Sequence, residues 1–160
     1  MTFEILQDAF FSAIAAIGFA SISNPPQRVY GCCALTAAIG HSFRYFLMNN
    51  DWYALHILPA SLFAAFLIGT VSVFLASHIK CPAESCFAPA LLPMIPGMYA
   101  YRTIEALLLC LFQQEGTEFI HYFYLLASNG LTCAFILLGM VIGTTIPVFL
   151  FKKISFQATR

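Results

Sequence analysis

Residues 89–102 read PALLPMIPGMYAYR and interrupt one of the apolar segments of the chain. Three prolines and a glycine lie within residues 89–97. Each proline removes a backbone N–H donor from a helix and clashes with the preceding turn. The stretch ends on Arg102, in a region with few other charges. The sequence therefore predicts a broken helix with a cation just beyond the break.

The composition indicates a membrane protein. The chain has 160 residues, of which 61% are hydrophobic and 9% are charged. A soluble domain usually carries about 25% charged residues, so this chain has too few charges to cover a globular surface. Its net charge is zero, which gives no basic patch for nucleic acid. We therefore predict an all-α integral membrane protein.

Five apolar segments are candidates for membrane spans, and each approaches or exceeds the roughly 20 residues that a span requires. The last two are longer than one straight crossing needs, which indicates a tilt, a kink or a re-entrant piece. No linker or soluble domain is visible, so residues 1–160 are predicted to form one transmembrane helix bundle. The predicted spans are 5–23, 29–48, 54–77, 86–112 and 122–150.

The charges between these segments predict an orientation. Basic residues follow the first, third and fifth segments, and acidic residues occupy the opposite side. The positive-inside rule then places the N-terminus outside and the C-terminus in the cytoplasm. The first segment lacks a basic start and a small-residue cleavage site, so we expect a membrane span and not a signal peptide. The basic residues are Arg28, Lys80, Lys152, Lys153 and Arg160; the acidic residues are Glu4, Asp51, Glu115 and Glu118.

Arg102 and Glu105 are the charges that most need an explanation. Arg102 lies ten residues before the predicted outer end of segment four, near the middle of the bilayer. A charge at that depth costs at least about 2.5–3.5 kcal/mol, so it must face protein, water or a partner charge. Glu105 lies three residues further on, on the same helix face. Either the two form a neutralised pair that holds helices together, or Arg102 binds an anionic solute while Glu105 tunes it or moves a proton.

The break predicts a second feature of the same site. A fresh helix can start after Pro96 and Gly97, with first N–H groups that have no helical partner and a dipole that is positive there. Such a helix end beside Arg102 is a site for a carboxylate, as in transporter midplane sites. Tyr99 and Tyr101, on the turn that follows, complete this candidate set. The alternative is a proline kink that binds no ligand.

The second segment contains IGHSFR, in which His41 and Arg44 share a helix face. Arg44 lies about one turn from the predicted outer end, so it either snorkels to the interface or contacts a solute. His41 lies deeper. It is either hydrogen-bonded to a neighbouring helix or serves as a proton carrier or ligand contact.

No cofactor, metal or catalytic centre is predicted. Four of the six cysteines lie inside apolar runs, where cysteine behaves as a small hydrophobic residue. Cys81 and Cys86 share a loop, but no second pair lies near them to complete a zinc site. The sequence has no H-E-x-x-H, no G-x-S-x-G and no nucleotide-binding loop, so we predict that the protein is not an enzyme and that this chain does not use ATP.

Three stretches together resemble a known family. They are GFASISNPPQR at residues 18–28, AIGHSFRYFLM at 38–48 and PALLPMIPGMYAYR at 89–102. In order and spacing they resemble the threonine/serine exporter (ThrE) family, and specifically its shorter, single-unit YjjB-type members. The resemblance covers most of the chain, and its most specific part is PMIPG followed by a turn rich in tyrosine and arginine.

The resemblance implies export of small metabolites across the bacterial inner membrane. YjjB-type members are linked to succinate and act with a larger YjjP-type membrane subunit, whereas the fused members are linked to threonine and serine. We therefore expect the small subunit of a two-component carboxylate exporter, in a hetero-oligomer. The alternatives are a threonine/serine exporter subunit and a structural subunit without its own solute site. Succinate would suit Arg102 with Arg44 or His41, and threonine would suit Arg102 with Glu105. Proton coupling through His41 or Glu105 is a further expectation.

Overall fold

The computed structural model describes residues 2–50, 54–113 and 116–152, and within these ranges every element is helical. Six α-helices and one 3₁₀ turn follow one another along the chain. Their bounds are α1 Thr2–Ser23, α2 Gln27–Met48, α3 Ile57–Ile79, α4 Glu84–Leu91, the 3₁₀ turn Leu92–Met94, α5 Gly97–Phe112 and α6 Thr117–Leu150.

Local chemistry explains where the first and third helices end. Asn24 adopts a left-handed backbone conformation with φ 47°, which asparagine tolerates better than most residues. Pro25 and Pro26 follow and cannot continue the hydrogen-bond ladder. Lys80 adopts a similar conformation, with φ 53°, and closes α3. The predicted end of the first segment at residue 23 is therefore confirmed.

The break in the fourth segment is also confirmed. α4 runs to Leu91, the 3₁₀ turn occupies Leu92–Met94, and α5 begins at Gly97. Pro96 takes the position before the first helical residue, where its missing N–H removes no helical hydrogen bond. The predicted fresh helix after Pro96 therefore forms.

The chain is an all-α membrane protein. Across the described ranges, three helices are long and apolar enough to cross a membrane, namely α1, α3 and α6. The number rises to four if α4, the 3₁₀ turn and α5 form one broken span. The more polar α2 is not among them, so five crossings and the predicted orientation remain predictions. Part of the charge asymmetry falls outside the described residues, at Asp51, Glu115, Lys153 and Arg160.

The helices divide into two compact units, Met1–Met94 with Gly139–Arg160, and Ile95–Leu138. In the first unit, α1 packs against α2, and α2 against α3 and α4. Ser12, Ala16 and Ala20 are all buried, as their four-residue spacing predicts. On α2 the small residues at the same four-residue spacing, Ala34, Ala38 and Ser42, are only half-buried. The fully buried row is offset by one position and consists of Val29, Cys33, Ala37 and His41.

Glycines allow α3 and the last part of α6 to approach closely. A methyl group added to Gly143 would lie 2.5 Å from the Leu62 carbonyl oxygen and 3.0 Å from the Ala65 methyl. One added to Gly69 would lie 2.8 Å from the Thr144 carbonyl oxygen. Small residues at a helix interface permit this backbone proximity.

The second unit contains α5 and the first part of α6. The two helices face each other at Thr103 and Gly130, where a methyl group added to Gly130 would lie 3.3 Å from a Thr103 side-chain carbon. The exposed surface of α5 is large and mostly apolar, as expected for a helix in lipid or against another membrane protein. Its exposed apolar residues include Met98, Ile104, Leu107, Leu108, Leu111 and Phe112.

Candidate functional site

A polar cluster joins α1 and α2 in the first unit. The Nδ1 atom of His41 lies 3.5 Å from the Oδ2 atom of Asp8. His41 is only 5% exposed, and its Nε2 atom has no hydrogen-bond partner in the described part of the chain. His41 thus contacts an acid on the neighbouring helix, but neither ring nitrogen makes a hydrogen bond within the described residues, so the predicted hydrogen bond to another helix stays a prediction.

Arg44 belongs to the same cluster and reaches the helix break. Its guanidinium donates a hydrogen bond of 3.0 Å to the carbonyl oxygen of Met94. Met94 ends the 3₁₀ turn, and a carbonyl at a helix end lacks its usual helical donor. Arg44 supplies that donor, and it is half-buried. The break therefore offers Arg44 an acceptor that the sequence did not indicate, while its position at the interface and its contact with a solute both stay predictions.

The cluster continues one turn further along both helices. The Tyr45 hydroxyl donates a 3.1 Å hydrogen bond to Glu4, four residues from each member of the Asp8–His41 pair. Asp8 was not among the residues predicted for a site. The sequence did contain a signal for its position: Asp8 lies four residues before Ser12, on the α1 face that also carries the buried Ala16 and Ala20.

Arg102 and Glu105 lie together in the second unit, on a recess of about 480 Å³ between α5 and α6. Both side chains are exposed. No ion pair within 4.0 Å joins them in residues 95–113, so the predicted neutralised pair does not form here. The sequence analysis missed the side chains that α6 contributes, namely Tyr122, Ser128 and Asn129 with Leu125. Their polar members recur along one α6 face, which is the signal that could have identified them.

The start of α5 offers fewer free N–H groups than expected. The Gly97 N–H donates to the Ile95 carbonyl at 2.8 Å, and the Tyr99 N–H donates to the Pro96 carbonyl at 3.1 Å. Pro96 is buried and Tyr99 is half-buried. Pro96, Gly97 and Tyr99 do not line the Arg102 recess, while Tyr101 lines a shallower, mostly apolar recess that also includes Glu105. The predicted anion site at the helix end is therefore less open than the sequence suggested.

The candidate residues thus fall into two groups, His41 and Arg44 in the first unit and the residues of α5 in the second. Within the described ranges, no group of three or more His, Cys, Asp or Glu side chains is arranged to hold a metal ion. All six cysteines are free thiols.

Comparison with known proteins identifies the family. The sequence profile described as Threonine/Serine exporter, ThrE, matches residues 8–150. The chain belongs to this family. ThrE is a family of membrane transporters, which agrees with the apolar helices described above.

One curated relative is an uncharacterized protein from Haemophilus influenzae. It is 30% identical over 158 residues, which cover 94% of this chain and 48% of the relative. The chain therefore spans about half the length of the curated relative that it matches. No solved structure matches the chain.

Proposed function

We propose that this ThrE chain is the small subunit of a two-component exporter in the bacterial inner membrane. Its solutes are small carboxylate metabolites, with succinate as the first candidate. The observation that carries the proposal is the recess in which Arg102 and Glu105 stand without an ion pair. A recess of about 480 Å³ falls within the roughly 300–1,000 Å³ of small-molecule sites. Arg102 is the carboxylate contact, because its guanidinium can bind a carboxylate through two parallel hydrogen bonds.

The charges around the recess support two solute classes. Succinate carries two carboxylates and needs a second donor besides Arg102, which Tyr122, Ser128 or Asn129 can provide. Threonine or serine carries a carboxylate and an ammonium, which match Arg102 and Glu105. The description of the family as Threonine/Serine exporter favours the amino acids, whereas the resemblance to YjjB-type members favours succinate. Threonine/serine export is therefore the second candidate function.

The exposure of Arg102 and Glu105 supports a partner subunit. Charged side chains in a membrane helix rarely face hydrocarbon, because that placement costs at least about 2.5–3.5 kcal/mol for each charge. Protein or water must therefore cover this face of α5. A complementary membrane half of the same exporter, YjjP-type in the resemblance, would provide that cover. The match covers 48% of the relative from Haemophilus influenzae, so the rest of that relative is long enough to contain such a half.

The proposal is tested by purifying the chain with its complementary subunit and measuring export from lipid vesicles. Arg102→Gln is expected to reduce export of labelled succinate or threonine at least about tenfold, which is about 1.4 kcal/mol. Arg28→Gln, at the exposed start of α2, serves as the matched control and is expected to leave export unchanged. Gel filtration confirms that each variant still assembles.

The alternative is a structural subunit without its own solute site. Export by an assembled Arg102→Gln complex at the rate of the unmodified complex would establish that alternative and reject Arg102 as the solute contact. Absence of export by the unmodified complex for both solutes would reject the choice of solutes.

A further inference from the structure

The Asp8–His41 contact is a second titratable site, separate from the residues that the proposed solute contact uses. The His41 imidazole is buried beside a carboxylate, and neither of its nitrogens makes a hydrogen bond to any described residue. Histidine is the side chain that ordinarily gains or loses a proton between pH 5 and 8. We propose that Asp8 and His41 form a proton-binding site, and that its proton is exchanged for the exported solute. The exchange with solute depends on the proposed function, whereas proton binding does not.

The exposure of the two side chains gives the proton a route. The His41 side chain is 7% exposed, whereas the Asp8 side chain is 36% exposed. The carboxylate therefore lies at the surface of the first unit, whereas the ring is enclosed behind it. The separation of 3.5 Å is longer than a strong hydrogen bond of about 2.7–3.2 Å, so a small approach of the two groups allows transfer.

Few other charges act on His41. From α1 the nearest acids are Asp8 and Glu4, and from α2 the neighbours are Arg44 and Tyr45. α3 presents Ile68 against Gly40, and its titratable residue, His78, lies in its last turn. The 3₁₀ turn contributes the Met94 carbonyl, and the titratable residues of α4, Glu84 and Cys86, lie at its start.

The formal charges around His41 define what a proton on its ring would change. The Asp8 and Glu4 carboxylates carry −1 each and the Arg44 guanidinium carries +1, so a proton on His41 takes the cluster from a net charge of −1 to zero. The proton is taken from water, held on the imidazole with Asp8 as counter-ion, and returned to water, with no other bond formed or broken.

Proton binding is tested without any transport. The chain is placed in lipid nanodiscs with ¹⁵N-labelled histidine rings, and the His41 signal is identified by its loss in His41→Gln. We expect this signal to titrate with pH, and Asp8→Asn to shift the titration to lower pH by about one unit, because the carboxylate favours the imidazolium. Asp8→Glu, which keeps the negative charge, should keep the titration near that of the unmodified chain. A His41 signal that does not titrate between about pH 4 and 9, or that does not respond to Asp8→Asn, would overturn the proton site.

Exchange with solute is tested in vesicles that contain the complete exporter and a pH-sensitive dye. Succinate and threonine are the probes. In Asp8→Asn and His41→Gln, the rate of solute-linked proton movement is expected to fall at least about tenfold. Exchange of labelled for unlabelled solute is expected to continue in both variants. Glu84→Gln and His78→Gln remove an exposed acid and an exposed histidine outside the cluster, and serve as controls.

The outcomes separate this inference from the proposed function. Proton movement at the unmodified rate in both folded variants would overturn the coupling. Loss of solute exchange together with proton movement would also overturn it, because the pair would then act in solute binding. If the unmodified complex exports neither probe, the proposed function fails, while the nanodisc titration still decides whether Asp8 and His41 bind a proton.

Discussion

The two polar sites of this protein differ in how their arginines are used. In the first unit, Arg44 is half-buried and donates to the Met94 carbonyl, beside the Asp8–His41 contact. In the second unit, Arg102 is exposed, forms no ion pair within the described residues, and lines a recess. Both arginines belong to apolar helices, yet one is satisfied by its own unit and the other is left for an additional ligand or protein.

This difference shows that the presence of a membrane arginine does not define its role. A charged group in a bilayer must be matched by something, and what matches it determines its function. Arg44 is matched by a carbonyl that the helix break releases. Within the described residues of its own unit, Arg102 has no ion-pair partner, which is why we assign it to the solute or to the partner.

The strongest test of the comparison is Arg44→Gln. The change removes a charged hydrogen bond and leaves the Met94 carbonyl without its donor, which we expect to cost about 1.5–3 kcal/mol of stability. Thermal unfolding of the purified chain in detergent measures the loss. Arg28→Gln, on the exposed start of the same helix, should change the unfolding temperature little. Equal stability of the two variants would show that the Arg44–Met94 bond does not hold the first unit together.

The second test is Gly143→Ala, at the close approach of α3 and α6. The added methyl meets the Leu62 carbonyl oxygen at 2.5 Å, so the helices must separate. Overpacking of this kind costs about 1–3 kcal/mol. Gly18→Ala, which has open space around it, is the matched control and should be neutral or slightly stabilising. Equal unfolding temperatures for the two variants would contradict the close contact between α3 and α6.

Glu105→Gln sharpens the comparison within the second unit. If the solute is threonine or serine, loss of the carboxylate removes the partner of the ammonium, and export should fall about tenfold, or about 1.4 kcal/mol. Succinate export should not fall, because the change removes a carboxylate that repels the dianion. Parallel uptake of both labelled solutes into inverted vesicles distinguishes these results. An equal loss for both solutes would indicate that Glu105 positions Arg102 and does not select the solute.

The smallest effect is expected for Tyr45→Phe. The hydrogen bond from Tyr45 to Glu4 is exposed, and its removal should cost only about 0.5 kcal/mol. The unfolding temperature of Tyr45→Phe is compared with that of Arg44→Gln, since both changes lie in the same polar cluster. A loss as large as that of Arg44→Gln would mean that the outer turn of the cluster, and not the bond to Met94, stabilises the first unit.

The sequence predicted the parts of the fold that depend on local chemistry. Proline and glycine placed the end of α1 and the start of α5, because those residues act within one or two turns of the chain. The row of Ser12, Ala16 and Ala20 predicted the buried face of α1 for the same reason. The same spacing on α2 does not identify its buried face, because small residues occur on several neighbouring faces of that helix.

The sequence did not predict which groups meet across helices. Arg44 has many possible acceptors in a sequence, and its actual acceptor is a backbone carbonyl fifty residues away. Asp8 was overlooked because its distance from the chain end suggested an aqueous position, whereas its place on the buried row of α1 is a property of packing. The pair of Arg102 and Glu105 was predicted to share a face, and the recess that surrounds them comes from α6.

The antiparallel register of α1 and α2 has a consequence for how the protein enters the bilayer. Glu4 and Asp8 on one helix stand level with Tyr45 and His41 on the other. Inserted alone, α1 would carry two acids without these partners. Inserted together as a helical hairpin, the two segments bring each acid its donor, which lowers the free energy of transfer from the translocation machinery. The chemistry that shapes the mature cluster would thus also favour biogenesis of the first two helices as one unit.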